Sequence, residues 1–331
     1  MKKILIIRFS SIGDIVLTTP VVRCLKQQID NVEIHYLTRK SFYPILKENP
    51  YLSKVYFYEN SLDEVYNQLK AENYDLIIDL HKNIRSLKVK RKLKEPVFSF
   101  PKLNWEKWVM VNFKRKDIMP DIHIVDRYMK SVESLGVKND QQGLDYFIPE
   151  DQEVSLGVLP ESFRNGYLGI VIGGAHATKV FPEAKLTEVI GKLDIPIVLL
   201  GGPGDREMGE RVIKDLPKKE VFNSCGRFSL HQSASLVSQA SCILTNDTGL
   251  MHIAAAFKVK TVSVWGNTVP ELGMYPYFPK NPESFCIIEN SSLKCRPCSK
   301  IGYKKCPKKH FKCMNDLDTD LIVGRIKDFM V

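Results

Sequence analysis

TNDTGLMHIAAAFKVKTVSVW, residues 245–265, reads as a strand, a sharp turn, a helix of small residues and a second strand. The first strand ends on Thr245-Asn246-Asp247, Thr248-Gly249 make the turn, and the helix is predicted over 249–257. The chain then returns as a strand over 260–265. The N–H groups of a helix's first turn have no intrahelical partner, so this turn offers donors to an anion lying above the strand ends. Asp247 stands at the lip, where its carboxylate either holds a sugar or ribose hydroxyl or caps the helix. A matching turn near the N-terminus decides how much weight the stretch carries.

That second turn follows an apolar run at residues 3–9: Ser10-Ser11-Ile12-Gly13-Asp14, then a helical pattern through Gln28. Glycine and serines let a ligand approach the backbone closely. Without GxGxxG, a dinucleotide dehydrogenase has little support. Thr19-Pro20 also reads as an N-cap and first helical position, which leaves Asp14 on a longer loop facing a cleft. Further strands are predicted at 33–37, 54–57, 76–79 and 97–99, with helices at 43–48, 62–72 and 83–93. A second series has strands at 167–172, 195–200, 221–223, 242–246 and 261–265, helices at 182–193, 205–216 and 230–240, and a last helix over 316–330. Alternation of this kind argues parallel sheets covered by helices.

A chain of 331 residues suits two domains rather than one core. The polar stretch over 149–164 is the expected linker, giving an N-terminal Rossmann-like domain at 1–155 and a C-terminal one at 156–331. No run is long and apolar enough to span a membrane. The opening MKKILIIRF is interrupted by Arg8 too early for a signal peptide and reads as a first buried strand in a cytoplasmic protein.

The net charge of +10 is concentrated. Residues 82–116 hold twelve Lys/Arg against Glu95 and Glu106, and residues 294–312 hold eight with no acid, so the remainder is net acidic. Two basic faces on an acidic body imply an anionic partner. No nucleic-acid module accompanies them, which argues against a nucleic-acid partner. Trp105, Trp108, Val109 and Phe113 share one helix face beside Lys107, Lys114, Arg115 and Lys116. That is the pattern of a helix resting on an anionic membrane, and equally of an ordinary core helix.

Chemistry concentrates in loops at strand ends. Gly173-Gly174-Ala175-His176-Ala177-Thr178-Lys179 precedes a helix start and suits a diphosphate. Gly201-Gly202-Pro203-Gly204-Asp205 follows the next strand; Asp205 either chelates ribose hydroxyls or caps its helix. Asp79-Leu80-His81 closes a strand of the first series, where His81 is either a substrate contact or a polar strand-end residue. Cys295-x2-Cys298-x7-Cys306-x6-Cys313 leaves three states open: a tetrahedral zinc site, free thiols, or a disulfide, the last disfavoured in a reducing cytoplasm.

SSIGDIVLTTPVVRCLK, GAHATKVFP and TNDTGLMHIAAAF resemble the motifs of the ADP-heptose–lipopolysaccharide heptosyltransferases, glycosyltransferase family 9. The resemblance implies two Rossmann-like domains facing across a cleft, the glycosyltransferase-B architecture. It also implies inversion at the anomeric carbon with no metal and no cofactor. The implied donor is ADP-heptose on the C-terminal domain; the implied acceptor is the lipopolysaccharide core or a lipid A-linked sugar on the N-terminal one. Such an enzyme works in the cytoplasm, peripheral at the cytoplasmic face of the inner membrane. By the same resemblance Asp14 is the catalytic base, with Ser10, Ser11 and Gly13 around it on the substrate. Thr178 and Lys179 take the diphosphate, with Lys179 supporting the leaving group. Asp247 and Gly249 meet the donor sugar, Thr248 and His252 are further substrate-binding residues of the same stretch, and Asp205 is the ribose-binding acid. The cysteine stretch resembles one in many second-heptose transferases. Another nucleotide sugar or glycolipid acceptor on the same fold, and a nucleotide-sugar epimerase, are the alternatives.

Overall fold

The computed structural model describes residues 2–330, which form two compact units. One comprises the chain up to Leu103 with Ile122–Phe147; the other comprises Asn104–Asp121 with everything from Ile148 onward. The first contains five parallel strands: β1 (Lys2–Ile7), β2 (Val32–Arg39), β3 (Lys54–Tyr58), β4 (Leu76–Asp79) and β5 (Val97–Ser99), in the order β3-β2-β1-β4-β5. β1 is central, pairing Ile4 with Ile34 on one side and with Leu76 on the other. Helices cover both faces of such a strand, which is why Ile4, Leu5, Ile6 and Ile7 form an unbroken apolar run, each fully buried.

The second sheet is also all parallel: β6 (Leu168–Val171), β7 (Ile197–Leu200), β8 (Val221–Asn223), β9 (Cys242–Asn246), β10 (Lys260–Trp265) and β11 (Phe285–Glu289). Its order is β11-β10-β9-β6-β7-β8. The C-terminal helix Thr319–Met330 adds Ile322, Val323 and Ile326 to this unit's core. In each sheet the strand order reverses beside a central strand, between β1 and β4 in the first and between β6 and β9 in the second. Crevices at the carboxyl ends of strands flanking such a reversal are where open α/β sheets take ligands.

The units divide at Phe147/Ile148, whereas the sequence reading divides the chain at 155/156. The stretch read as a linker packs on the second unit, where Val154 N–H donates to Ser235 Oγ at 2.9 Å. The basic run at 82–116, read as wholly on the first domain, is split. Its last part belongs to the second unit through Lys114 Nζ on the Pro297 carbonyl (2.7 Å) and Lys116 paired with Glu271 (2.7 Å). The first helical pattern is also broken: a short helix, Ile12–Val16, carries Asp14, and a second, Thr19–Gln28, begins with Pro20 in its first turn. β11 escaped the reading, being an edge strand of five residues of which only Ile288 is buried.

Candidate active site

In the first unit the loop after β1 runs into helix Ile12–Val16, whose N-cap is Ser11. Asp14 is the third residue of that helix and closes a capping box, accepting from Ser11 N–H at 3.2 Å and Ser11 Oγ at 2.7 Å. Its other oxygen meets Arg8 Nη2 at 2.6 Å. Arg8 is buried and also donates to the carbonyls of Leu80 (2.6 Å) and Ser10 (2.9 Å) and to Tyr128 Oη (3.0 Å). Burial works against the guanidinium charge, yet Asp14 and the surrounding tyrosines hold Arg8 above its usual basicity. Asp14 is therefore both a helix cap and one half of an oriented ion pair.

His81 follows β4 and packs its ring 5.0 Å from that of Phe9. Its Nδ1 is buried with no hydrogen-bond partner. Burial, followed by the charges of Arg8, Lys102 and Arg85, pushes the imidazole down to about 4, so it is neutral at physiological pH. Asp79, by contrast, is structural. It accepts from Ser86 Oγ (2.8 Å), Lys90 Nζ (2.7 Å) and the N–H groups of His81 and Lys82 (3.0 and 2.7 Å). The strand-end carboxylate thus fixes the turn that presents His81.

In the second unit the loops after β6 and β9 converge. Lys179 Nζ lies 2.6 Å from Asp247 Oδ2, and Thr268 Oγ1 donates to the same oxygen at 2.9 Å. Asn246, fully buried at the end of β9, joins the two loops from below. Its Oδ1 accepts from Phe181 N–H (3.0 Å), and its amide donates to the carbonyls of Val171 (3.2 Å) and Gly173 (3.3 Å). Thr248 is the N-cap of helix Gly249–Ala256 by position, without a side-chain cap bond, so the turn presents its N–H groups to a ligand. His252 is buried within that helix.

Thr178 is buried, and its hydroxyl is engaged in both directions. It donates to the Tyr303 carbonyl (3.1 Å) and accepts from Tyr303 N–H (2.8 Å). Its place in the structure is to anchor the loop that carries Lys179. Asp205 caps its own turn through Gly202 N–H at 2.8 Å, but its carboxylate also lies over the loop after β6. A Cβ on Gly173 would meet Asp205 Oδ2 at 2.1 Å, so glycine is what lets that carboxylate reach the strand ends.

The structure thus gathers Lys179, Asp247 and Thr248 at the second sheet's reversal, with Asp205 beside them, and sets Asp14, Ser11 and Gly13 at the first. Arg8 escaped the sequence reading, and His81, open there between a substrate contact and a polar strand-end residue, has its Nδ1 buried without a hydrogen-bond partner. Arg8 looked like an interruption of an apolar strand; a lone arginine inside a buried run was the available signal.

Two parallel sheets, each with polar loops gathered at its point of reversal, define an α/β protein of two Rossmann-like units. The chain belongs to glycosyltransferase family 9 (heptosyltransferase), whose model matches residues 63–307. It is 26% identical to lipopolysaccharide heptosyltransferase 3 of Escherichia coli K12 over 77% of this chain and 80% of that protein. Among solved structures it is similar to a family 9 glycosyltransferase from Veillonella parvula, with a TM-score of 0.77 at 21% identity over 99% of this chain and 97% of that one. It is also similar to the E. coli heptosyltransferase WaaC with ADP-2-deoxy-2-fluoro heptose, with a TM-score of 0.68 at 20% identity over 98% and 99% of the two chains. These structural likenesses carry the fold.

Proposed function

We propose that this enzyme transfers heptose from ADP-heptose to the inner core of lipopolysaccharide, inverting the anomeric carbon without a catalytic metal. Curated relatives named as lipopolysaccharide heptosyltransferases support the substrate class, and a similar structure carries an ADP-heptose analogue. The observation that carries the donor assignment is the Lys179–Asp247 pair at the reversal of the second sheet. A diphosphate entering there takes the Lys179 ammonium, leaving the Asp247 carboxylate to accept from a heptose hydroxyl. The free N–H groups at Thr248 and Gly249 add donors, and Asp205 receives the ribose hydroxyls.

The acceptor binds the first unit. Asp14 takes the proton of the attacking hydroxyl as its oxygen bonds to the anomeric carbon, and the bond from that carbon to the diphosphate breaks. Charge gathering on the departing ADP is met by Lys179 and the helix N–H groups, with no metal required for it. Ser10, Ser11 and Gly13 shape the acceptor side of the loop, and the neutral His81 imidazole offers its open Nδ1 to an acceptor hydroxyl.

We place the enzyme in the cytoplasm at the inner-membrane face. Among the described residues no helix is long and apolar enough to cross a membrane. Helix Asn104–Phe113 instead exposes Trp105 (65%), Trp108 (52%) and Phe113 (63%) and buries only Met110, which sets aside the core-helix reading.

The test is ADP release from ADP-heptose with and without a heptose-deficient lipopolysaccharide acceptor, alongside Asp14→Asn. Acceptor-dependent release that collapses in the variant while donor binding persists is the expected result. Release indifferent to acceptor sinks the transferase assignment, and a preference for another nucleotide sugar sinks the donor.

A further inference from the structure

Residues 290–311 form one irregular loop between β11 and the short helix Lys312–Asn315, and it holds Cys295, Cys298 and Cys306. Cys313 lies in that helix, buried beneath it. The loop is pinned at one end by Arg296, whose buried guanidinium donates to the carbonyls of Gly266, Asn290 and Thr268 (2.5, 2.8 and 2.9 Å) and pairs with Glu289 (2.7 Å). Its middle has few apolar side chains to bury, and small loop-rich segments of this kind are commonly held by a staple.

Four thiols lie where such a staple would sit. Cys298 Sγ donates to the Cys295 carbonyl at 3.2 Å, and Cys295, Cys298 and Cys306 are half-buried while Cys313 is buried at the start of the following helix. Burial raises the Cys298 thiol, with the charges of Cys295 and Cys306 adding to it, and burial likewise raises the Cys313 thiol, with the other three adding to it. His310 Nε2 stands 3.9 Å from Cys295 Sγ. Its Nδ1 accepts from Lys312 N–H at 3.0 Å, so in the neutral ring the proton is on Nε2 and points at that sulfur. His310 is therefore a donor to a Cys295 thiolate rather than a ligand, the usual place for an outer partner at a metal centre.

We infer that Cys295, Cys298, Cys306 and Cys313 bind one thiophilic divalent ion, zinc or ferrous iron, as four thiolates in a tetrahedron. Each thiol releases its proton to solvent, and the resulting centre carries two negative charges. The eight Lys/Arg between residues 294 and 312, with no acid among them, supply the counter-charge. This accounts for the second basic run, which the transfer reaction leaves unused. Among the described residues the one group whose ligand atoms already lie within 4.8 Å of one another is Glu33, His35 and Glu72. That group is an ion-pair network instead, with Lys3 and Lys54 on Glu72 at 2.8 and 2.9 Å. No three of the four sulfurs lie that close, so the proposed centre requires the ion to draw the thiols together.

The ion shapes the donor loop without touching the reaction. Cys298 N–H donates to the Asn267 carbonyl (2.9 Å), Tyr303 Oη to the Cys298 carbonyl (3.1 Å), and Tyr303 in turn grips Thr178. Gly302, at φ +118°, lies against His176, where a Cβ would come within 2.5 Å. The centre therefore sets the segment that ends in Lys179.

The test uses the full chain expressed with zinc and iron supplements and purified reduced. Elemental analysis is expected to find about one ion per chain and to say which metal it is. After chelation, titration with Co2+ is expected to give a thiolate-to-metal charge-transfer band saturating near one equivalent and to release about four protons. Cys298→Ser and Cys306→Ser lose the ion, while Cys225→Ser, a buried thiol elsewhere, keeps it. Should the serine variants fail to fold, alkylation of the wild-type chain decides instead: the four thiols are protected with metal and reactive after chelation. Reduced protein with no stoichiometric metal and no cobalt band overturns the inference, as does equal thiol reactivity with and without metal.

Discussion

Lys179 Nζ and Asp247 Oδ2 stand 2.6 Å apart, both largely buried, and this contact joins the loops after β6 and β9. A close, shielded pair of this kind is coupled, and a donor diphosphate competes directly for its cation. Lys179→Met is expected to lower kcat/KM by about a hundredfold or more, since it removes charge from the leaving group and strands a carboxylate. A double-mutant cycle with Asp247→Asn, read by thermal unfolding, is expected to give a coupling of about 1–3 kcal/mol without nucleotide and a smaller one at saturating ADP. Equal coupling in both states would mean that the pair is not exchanged for the donor.

Arg8 and Asp14 make the matching pair in the first unit, at 2.6 Å. A guanidinium at that distance favours the ionised carboxylate, keeping the base charged at lower pH than it would otherwise be. Replacing Arg8 by Met raises the Asp14 pKa, so the acidic limb of the kcat/KM profile moves to higher pH. The variant also leaves the carbonyls of Leu80 and Ser10 without their donor, and unfolding is expected at lower temperature. An acidic limb that stays in place in a folded Arg8→Met enzyme would remove Asp14 as the titrating base.

How much of this was legible in the sequence follows from how local each signal is. β1, β4, β7 and β9 showed as apolar runs because parallel strands are buried on both faces, and the strand-end loops showed by their glycines and polar residues. Asp14, Lys179 and Asp247 were picked out, but the pairs they form were not. Arg8 meets Asp14 within a few residues, whereas Lys179 and Asp247 are brought together only by the β6–β9 reversal. Thr178 was read as a phosphate contact; its capture by Tyr303 depends on a loop more than a hundred residues later. The aromatic face at Trp105 and Trp108 was ambiguous for a plain reason: spacing gives a face, and only packing decides whether solvent or core covers it.

His81 titrates in a direction that can be checked. Its folded pKa is pushed down to about 4 by burial and by neighbouring cations, below the usual histidine value. The unfolded chain therefore binds more protons between those two values, and folding stability falls as pH drops from about 6.5 to about 4. Because the ring is only partly buried, the effect is on the order of 1–2 kcal/mol after allowance for solvent. His81→Gln is expected to flatten the fall of Tm across that window. If the open Nδ1 meets the acceptor, the same variant also raises acceptor KM while donor KM holds. A Tm curve parallel to wild type would show that His81 is not held neutral.

Trp105, Trp108 and Phe113 present a wet aromatic surface on one short helix, and the cations near it are partly spoken for. Arg115 is paired with Asp117 at 2.7 Å, Lys116 with Glu271 at 2.7 Å, and Lys114 is held on backbone carbonyls. Attachment to a bilayer through this helix is therefore carried mainly by aromatic insertion at the headgroup boundary, with local charge secondary. Each inserted ring contributes on the order of 1–2 kcal/mol, so replacing all three by serine weakens binding to vesicles of anionic phospholipid by at least about a hundredfold. Raising salt has a smaller effect than the substitutions do, because few of the charges there are free to bind lipid. Vesicle co-sedimentation at two salt concentrations measures both. Binding that vanishes with salt yet survives the triple substitution would assign the membrane contact to the basic helix Ile84–Leu93 of the first unit instead, where Ile84 (76%) and Leu87 (37%) are exposed among lysines and arginines.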